Sequence, residues 1–132
     1  MNGTNFLADT NALIYLLNGN QCMSNYLQKN LYVSVISEME LLSYSGITPD
    51  EEMQIKSFLN DCNEVTLTNE IKDKTIEIRK KYKTKLPDAI IAASAIVKNI
   101  PLITADKGFC QISNLNLELI VPVIRPVKAR FA

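Results

Sequence analysis

An α/β fold, built on a mostly parallel five-stranded sheet, is predicted by three features of the chain. Short apolar runs alternate along the sequence with longer segments whose apolar residues recur at helical spacing. The short runs are rich in β-branched and aromatic residues and stop at polar capping residues. With 132 residues, 47% of them hydrophobic and 21% charged, the chain can close one sizeable core without a disulfide or a structural metal.

Taken in order, Phe6-Leu7-Ala8 reads as a buried strand stopped by Asp9-Thr10-Asn11. Thr10 or Asn11 is then the expected cap of a helix carrying Leu13, Ile14, Leu16 and Leu17, which Asn18-Gly19-Asn20 ends. A short helix follows from about Cys22 to Gln28, and Leu31 to Ile36 forms the second strand. Ser37, with Glu40 three residues later, has the spacing of a capping box. Thr48-Pro49-Asp50-Glu51-Glu52 opens a helix bearing Met53, Ile55, Phe58 and Leu59, since proline and acids suit a first turn. Glu64 to Leu67 is the third strand, and the helical period of Ile71, Thr75, Ile78 and Tyr82 covers Thr68 to Lys83. A strongly apolar helix runs from about Pro87 to Lys98. Ile100 to Thr104 and Leu117 to Val121 complete the sheet. No repeat or linker interrupts the chain, so residues 1–132 are expected to be one domain, with a basic tail from Arg125.

Composition excludes several functions. Fourteen basic and 14 acidic residues cancel, which argues against a simple basic nucleic-acid binder but not against a nuclease that gathers carboxylates around cations. Histidine is absent, which removes a histidine base, a Ser-His-Asp triad and histidine metal ligands. Three cysteines without CxxC spacing, Cys22, Cys62 and Cys110, read as reduced and mostly buried thiols of a cytoplasmic protein. No stretch is long enough to span a membrane, and the first residues do not resemble a signal peptide.

The acidic residues carry the chemistry. Asp9 follows the first strand and Asp106 lies just past the fourth, at the ends where open parallel sheets bind ligands. Glu40 falls early in the helix after the second strand, and Asp88 opens the apolar helix. Magnesium and manganese prefer oxygen ligands and keep several waters, so a few carboxylates suffice for them. Bound cations can drive phosphodiester hydrolysis in a chain without histidine. Each acid also has a purely structural reading: Asp9 as a helix cap, Glu40 as a capping-box partner, Asp88 as a complement to a helix dipole and Asp106 as a turn residue.

Four blocks, Leu7 to Asn11, Ser34 to Leu42, Leu86 to Ala95 and Leu102 to Phe109, resemble in order and spacing those of PIN domains, most closely VapC-type toxins of toxin–antitoxin pairs. The Leu-Pro-Asp-Ala-Ile-Ile-Ala-Ala sequence at Leu86 to Ala93 is the most specific of them. The resemblance implies a three-layer α/β/α fold and a Mg2+- or Mn2+-dependent ribonuclease neutralised by a cognate antitoxin. It maps the metal-binding and catalytic acids to Asp9, Glu40, Asp88 and Asp106, and the supporting positions to Thr10, Asn11, Ser37 and Thr104. A homodimer follows from the resemblance alone. Glu38 competes with Glu40, but two residues on a helix point to nearly opposite faces.

Arg79, Lys80, Lys81, Lys83 and Lys85 form a basic cluster before Asp88. The cluster as a whole could contact RNA phosphates, with Arg79, Lys80, Lys81 and also Lys107 as the candidates put forward, against the reading of a solvated helix end. Arg125, Lys128 and Arg130 invite the same two readings. Leu16, Leu17 and Tyr26 are either core or a docking face for a partner helix. Rival enzymes fare worse: a haloacid-dehalogenase-type phosphatase needs an acid where Asn11 stands, and a response-regulator receiver needs an acidic pair that Asn2 to Phe6 does not supply. A catalytically silent PIN module that binds RNA or protein stays open as an alternative, as does a PIN nuclease in RNA processing without an antitoxin. Four retained acids speak against the silent module, because like charges gathered without metal repel.

Overall fold

A computed structural model describes residues 4–124, and the basic tail with Arg125, Lys128 and Arg130 lies outside the described residues. Five strands, β1 (Asn5–Ala8), β2 (Asn30–Ser34), β3 (Asn63–Val65), β4 (Leu102–Thr104) and β5 (Leu117–Leu119), form one sheet in the order β3-β2-β1-β4-β5. All four pairings are parallel, with Leu7 opposite both Tyr32 and Leu102 and Ala8 opposite Ile103. The helices α1 (Thr10–Leu17), α2 (Val35–Leu42), α3 (Pro49–Asn60), α4 (Asn69–Lys81) and α5 (Leu86–Lys98) cross between them, and short 3-10 helices span Gln21–Tyr26 and Lys107–Gln111.

The central strands β1 and β4 bury both faces, which is why Phe6-Leu7-Ala8 and Leu102-Ile103 read as continuous apolar runs. Alternation at period two sends Phe6, Ala8, Val33 and Ile103 to one side, where Leu13, Met23, Leu41 and Ile55 cover them. Leu7, Val65 and Leu102 face the other side, against Ile71 and Ile78 of α4 and Ile91, Ala92 and Ala95 of α5. The small residues of α5 let it lie close against the sheet. Two cores on one sheet make the three-layer α/β/α arrangement. Tyr26 is core: its ring meets Phe6 edge-on at 5.2 Å between centroids, and its hydroxyl donates to Glu118 Oε1 at 2.8 Å. Leu16 and Leu17 are half-buried and pack against the same core. Among the described residues no helix is long and apolar enough to cross a membrane. The cysteines are free, with Cys22 and Cys62 half-buried but Cys110 exposed, contrary to the expectation of mostly buried thiols.

Element boundaries differ from the sequence reading for identifiable reasons. The cap of α1 is Asp9 rather than Thr10 or Asn11, because the carboxylate accepts from Ala12 N–H. The second helix starts early. Ser34, with φ −68° and ψ 145°, is its cap and accepts from Ile36 N–H, so Ile36 belongs to α2 rather than β2. Ser37 therefore lies within the helix, and its capping box with Glu40 does not exist. A capping box does form at Thr48 and Glu51. The chain leaves α4 at Tyr82 in extended geometry, and α5 ends at Asn99 in the left-handed region. The strands β3 and β5 end earlier than expected, at Val65 and Leu119 where the ladders with β2 and β4 end, and β4 begins only at Leu102.

Ser34→Ala removes the cap of α2 and should lower stability by about 1 kcal/mol in urea unfolding. An unchanged midpoint would contradict the assigned start of this helix.

Candidate metal centre

Strand order reverses between β1 and β4, which run side by side. The loops leaving their carboxyl ends part to opposite faces there and leave a crevice. Asp9 is the first residue beyond β1 and is buried at 6% exposure. Its Oδ1 accepts from Ala12 N–H at 2.8 Å and its Oδ2 from the Thr104 hydroxyl at 2.5 Å. Thr104, the last residue of β4, is fully buried. Its oxygen also accepts from Asp106 N–H at 3.0 Å, so one hydroxyl ties Asp9 to the loop that bears Asp106. Asp106 caps the 3-10 helix that follows, its Oδ1 accepting from Gly108 N–H at 2.8 Å and leaving Oδ2 without a described partner.

Glu40 reaches the same crevice from α2. The Thr10 hydroxyl donates to Glu40 Oε1 at 2.5 Å and lies 2.8 Å from Ser37 Oγ. Because Thr10 spends its single proton on Glu40, Ser37 is the donor in the second bond. The buried Ser37 hydroxyl thus fixes Thr10, which fixes an exposed carboxylate. Asp88 stands in the first turn of α5, where Lys85 caps without a side-chain hydrogen bond. A cleft of about 420 Å3 is lined by Asp9, Glu40, Asp88 and Asp106 together with Thr10 and Asn11. Glu38 points elsewhere, hydrogen-bonded to Glu64, and that contact is the main reason its carboxyl titrates above the usual range.

The electrostatics report the convergence independently of the cleft's outline. Burial is the largest cause holding Asp9 above the usual carboxylate range. The bonds from Thr104 and Ala12 oppose it, and the charges of Asp88 and Asp106 add to it. Asp88 is raised first by burial, then by Asp106 and Glu40, with the Lys85 ammonium working the other way. Excess negative charge of this kind is what a divalent cation relieves. Among the described residues no three acidic or cysteine side chains close tightly enough to enclose an ion by themselves. An open set of oxygen donors in a roomy cleft fits Mg2+ or Mn2+, which retain waters, and does not fit a fully caged ion.

Of the cations anticipated from sequence, Arg79, Lys80, Lys81 and Lys107 are not among the residues lining the cleft. Lys85 is. Its signal was available in the sequence: a lysine three residues before Asp88, at the entrance of the helix that delivers this acid.

The charge on Asp88 opposes folding when no cation is present. Its carboxyl pKa is raised in the folded chain, so the native state holds the proton more tightly than the unfolded state does. That contribution is complete below the unfolded value and lost as pH rises through the folded one. Asp88→Asn in EDTA should therefore melt a few degrees higher than the wild type at pH 7, and the difference should fade as pH falls into the carboxylate range. A lower melting temperature for the variant at pH 7 would contradict the crowding of charge.

Comparison with known proteins agrees with this fold. The family model of the PIN domain matches residues 6–115. A chain from a toxin–antitoxin complex of Klebsiella pneumoniae is 30% identical, with a TM-score of 0.73 over 83% of this chain and 93% of that one. VapBC2 from Rickettsia felis, bound to a DNA fragment from its promoter, gives a TM-score of 0.79 at 23% identity, covering 89% of this chain and 100% of that one. VapBC-1 from nontypeable Haemophilus influenzae gives 0.76 at 21% identity over 88% and 98%. No curated protein sequence matches the chain. The chain belongs to the PIN-domain family, and its fold is shared with chains of toxin–antitoxin complexes.

Proposed function

We propose that this PIN domain is a Mg2+- or Mn2+-dependent endoribonuclease, the toxin of a toxin–antitoxin pair. The observation that carries the proposal is the meeting of Asp9, Glu40, Asp88 and Asp106 at one cleft over the β1–β4 switch point. These four acids are the metal ligands in this reading. Asp9, Glu40, Asp88 and Asp106 would hold a divalent ion, which when bound would supply Lewis acidity and lower the pKa of water for phosphodiester hydrolysis.

The protein's own residues do the positioning. Thr104 and the Ala12 amide hold Asp9 by one oxygen each and oppose its protonation. The Ser37–Thr10 relay holds Glu40, a side chain whose exposure otherwise leaves it free to rotate. Asp88 is brought to the cleft by its place in the first turn of α5. The exposed Asn11 amide at the rim can donate to a phosphate or ribose oxygen. With no histidine in the chain, protons released or taken up in the reaction fall to carboxylates and solvent.

The partner follows the same electrostatics. A basic side chain from a cognate antitoxin would neutralise the cleft and block it. Arginine suits this best, since its planar fork pairs with a carboxylate through two hydrogen bonds. The complexes from Klebsiella pneumoniae and Haemophilus influenzae support such a partner by likeness of fold. Homodimerisation and a cytoplasmic site of action belong to this reading as well, and rest on the family likeness.

Asp9→Asn and Glu40→Gln should each lower metal-dependent cleavage of RNA by about a hundredfold or more, while both variants stay folded by thermal melting. Glu38→Gln should cleave like the wild type. A damaging Glu38→Gln beside an active Glu40→Gln would overturn the ligand set. Co-expression with the product of the adjacent open reading frame should give a complex that suppresses cleavage. A neighbour that neither binds nor inhibits would remove the toxin reading and leave the nuclease one.

A further inference from the structure

A second, smaller groove of about 170 Å3 opens beside the carboxylate cleft, and the two share Lys85, Asp88, Asp106 and Phe109. Beyond the shared acids its lining changes sign: Lys83, Thr84 and Lys85 form one wall, and Gly108, Phe109 and Gln111 form the other. The ion pairs among the described residues are Lys56–Glu52 and Lys74–Glu77, so Lys83 and Lys85 form none there. Both lysines are exposed.

The walls are held at a fixed distance. The Tyr82 hydroxyl, at the root of the lysine wall, donates to Ser113 Oγ at 2.9 Å and accepts from Ser113 N–H at 3.0 Å, just beyond the opposite wall. Arg79 Nε donates to the Thr84 carbonyl at 3.2 Å and pins the middle of the lysine wall. Phe109 in the opposite wall is buried, while the exposed Gln111 offers an amide at the rim. The segment between α4 and α5 is thus a braced strip that presents two ammonium groups, and not a loose loop.

We infer that this groove is a binding subsite for an RNA phosphate next to the one that is cut, with Lys85 and Lys83 as its cations. The inference rests on the nuclease reading of the adjoining cleft and adds to it where the chain of the substrate lies. A phosphodiester drawn into the carboxylate cleft leaves its neighbour with no favourable place among four acids. The groove is the contiguous surface that sets lysines, Lys85 at the junction and Lys83 beyond it, against the shared acids Asp88 and Asp106, and these cations offset the repulsion that the strand would otherwise meet. Lys85, at the junction, attracts the substrate toward Asp88 and Asp106 from the basic side. Of the basic cluster expected from sequence to contact RNA, Lys83 and Lys85 take that role on this view, Lys80, Lys81 and Lys107 do not, and Arg79 becomes a brace for the groove.

The test is the binding of a fluorescein-labelled mixed-sequence single-stranded 20-mer RNA in Ca2+, read by anisotropy across a KCl series. Lys83→Gln/Lys85→Gln should weaken binding about tenfold at low salt, and the salt slope should fall by about 0.7 for each lost contact. Lys80→Gln/Lys107→Gln should keep both affinity and slope, with melting temperatures checked for each protein. Unchanged affinity and slope in the Lys83/Lys85 variant would overturn the subsite, as would a wild type that binds no RNA. A wild type that binds through these lysines yet cleaves nothing in Mg2+ or Mn2+ would leave the groove standing and remove the nuclease reading.

Discussion

The hydrogen bond from the Thr104 hydroxyl to Asp9 Oδ2 is the constraint on which the candidate site depends. It joins the ends of two strands that are adjacent in the sheet and 95 residues apart in the chain. Without it a buried carboxylate would sit beside two others with only one backbone amide to hold it. Such a group either protonates or turns toward water. The same oxygen receives Asp106 N–H, so the orientation of the second acid is set by the first. Parallel pairing of β1 and β4 is what delivers both groups to one edge, and the two apolar cores keep that pairing in register.

Around this bond the site is assembled by elements that would exist without it. Asp9 begins α1 and Asp106 begins a 3-10 turn, and each gives one oxygen to the backbone while keeping the other toward the cleft or its partner. The structural and chemical readings of these acids are therefore compatible: capping aims the carboxylate that the chemistry needs. Glu40 is different. Its direct partner is Thr10 of the neighbouring helix α1, and the buried Ser37 of its own helix α2 acts on it through that residue.

Much of this was legible in the sequence, and the losses have physical causes. The alternation of strands and helices, the apolar character of α5 and the acid-bearing ends of β1 and β4 came from period and composition, which local sequence encodes directly. Ser37 was misread because Val35 and Ile36 favour a strand by propensity, while tertiary packing lets Ser34 cap the helix two residues earlier. The role of Thr10 as a link between Ser37 and Glu40 depends on where α1 meets α2, which no local pattern records. The placement of Lys85 rather than Arg79 at the cleft turns on the extended exit from α4 at Tyr82, a change of direction set by Ser113, which follows 31 residues on.

The central claim is that Asp9, Glu40, Asp88 and Asp106 act as one cation site. Paramagnetic broadening by Mn2+, titrated into the 15N-labelled protein in small steps, tests it most directly. The amide signals of Asp9, Thr10, Glu40, Asp88 and Asp106 should broaden together at the lowest Mn2+ concentrations, while those of Glu38 and Glu64 stay sharp. Broadening centred on Glu38 and Glu64, or spread over the surface acids with no preference for the cleft, would contradict it.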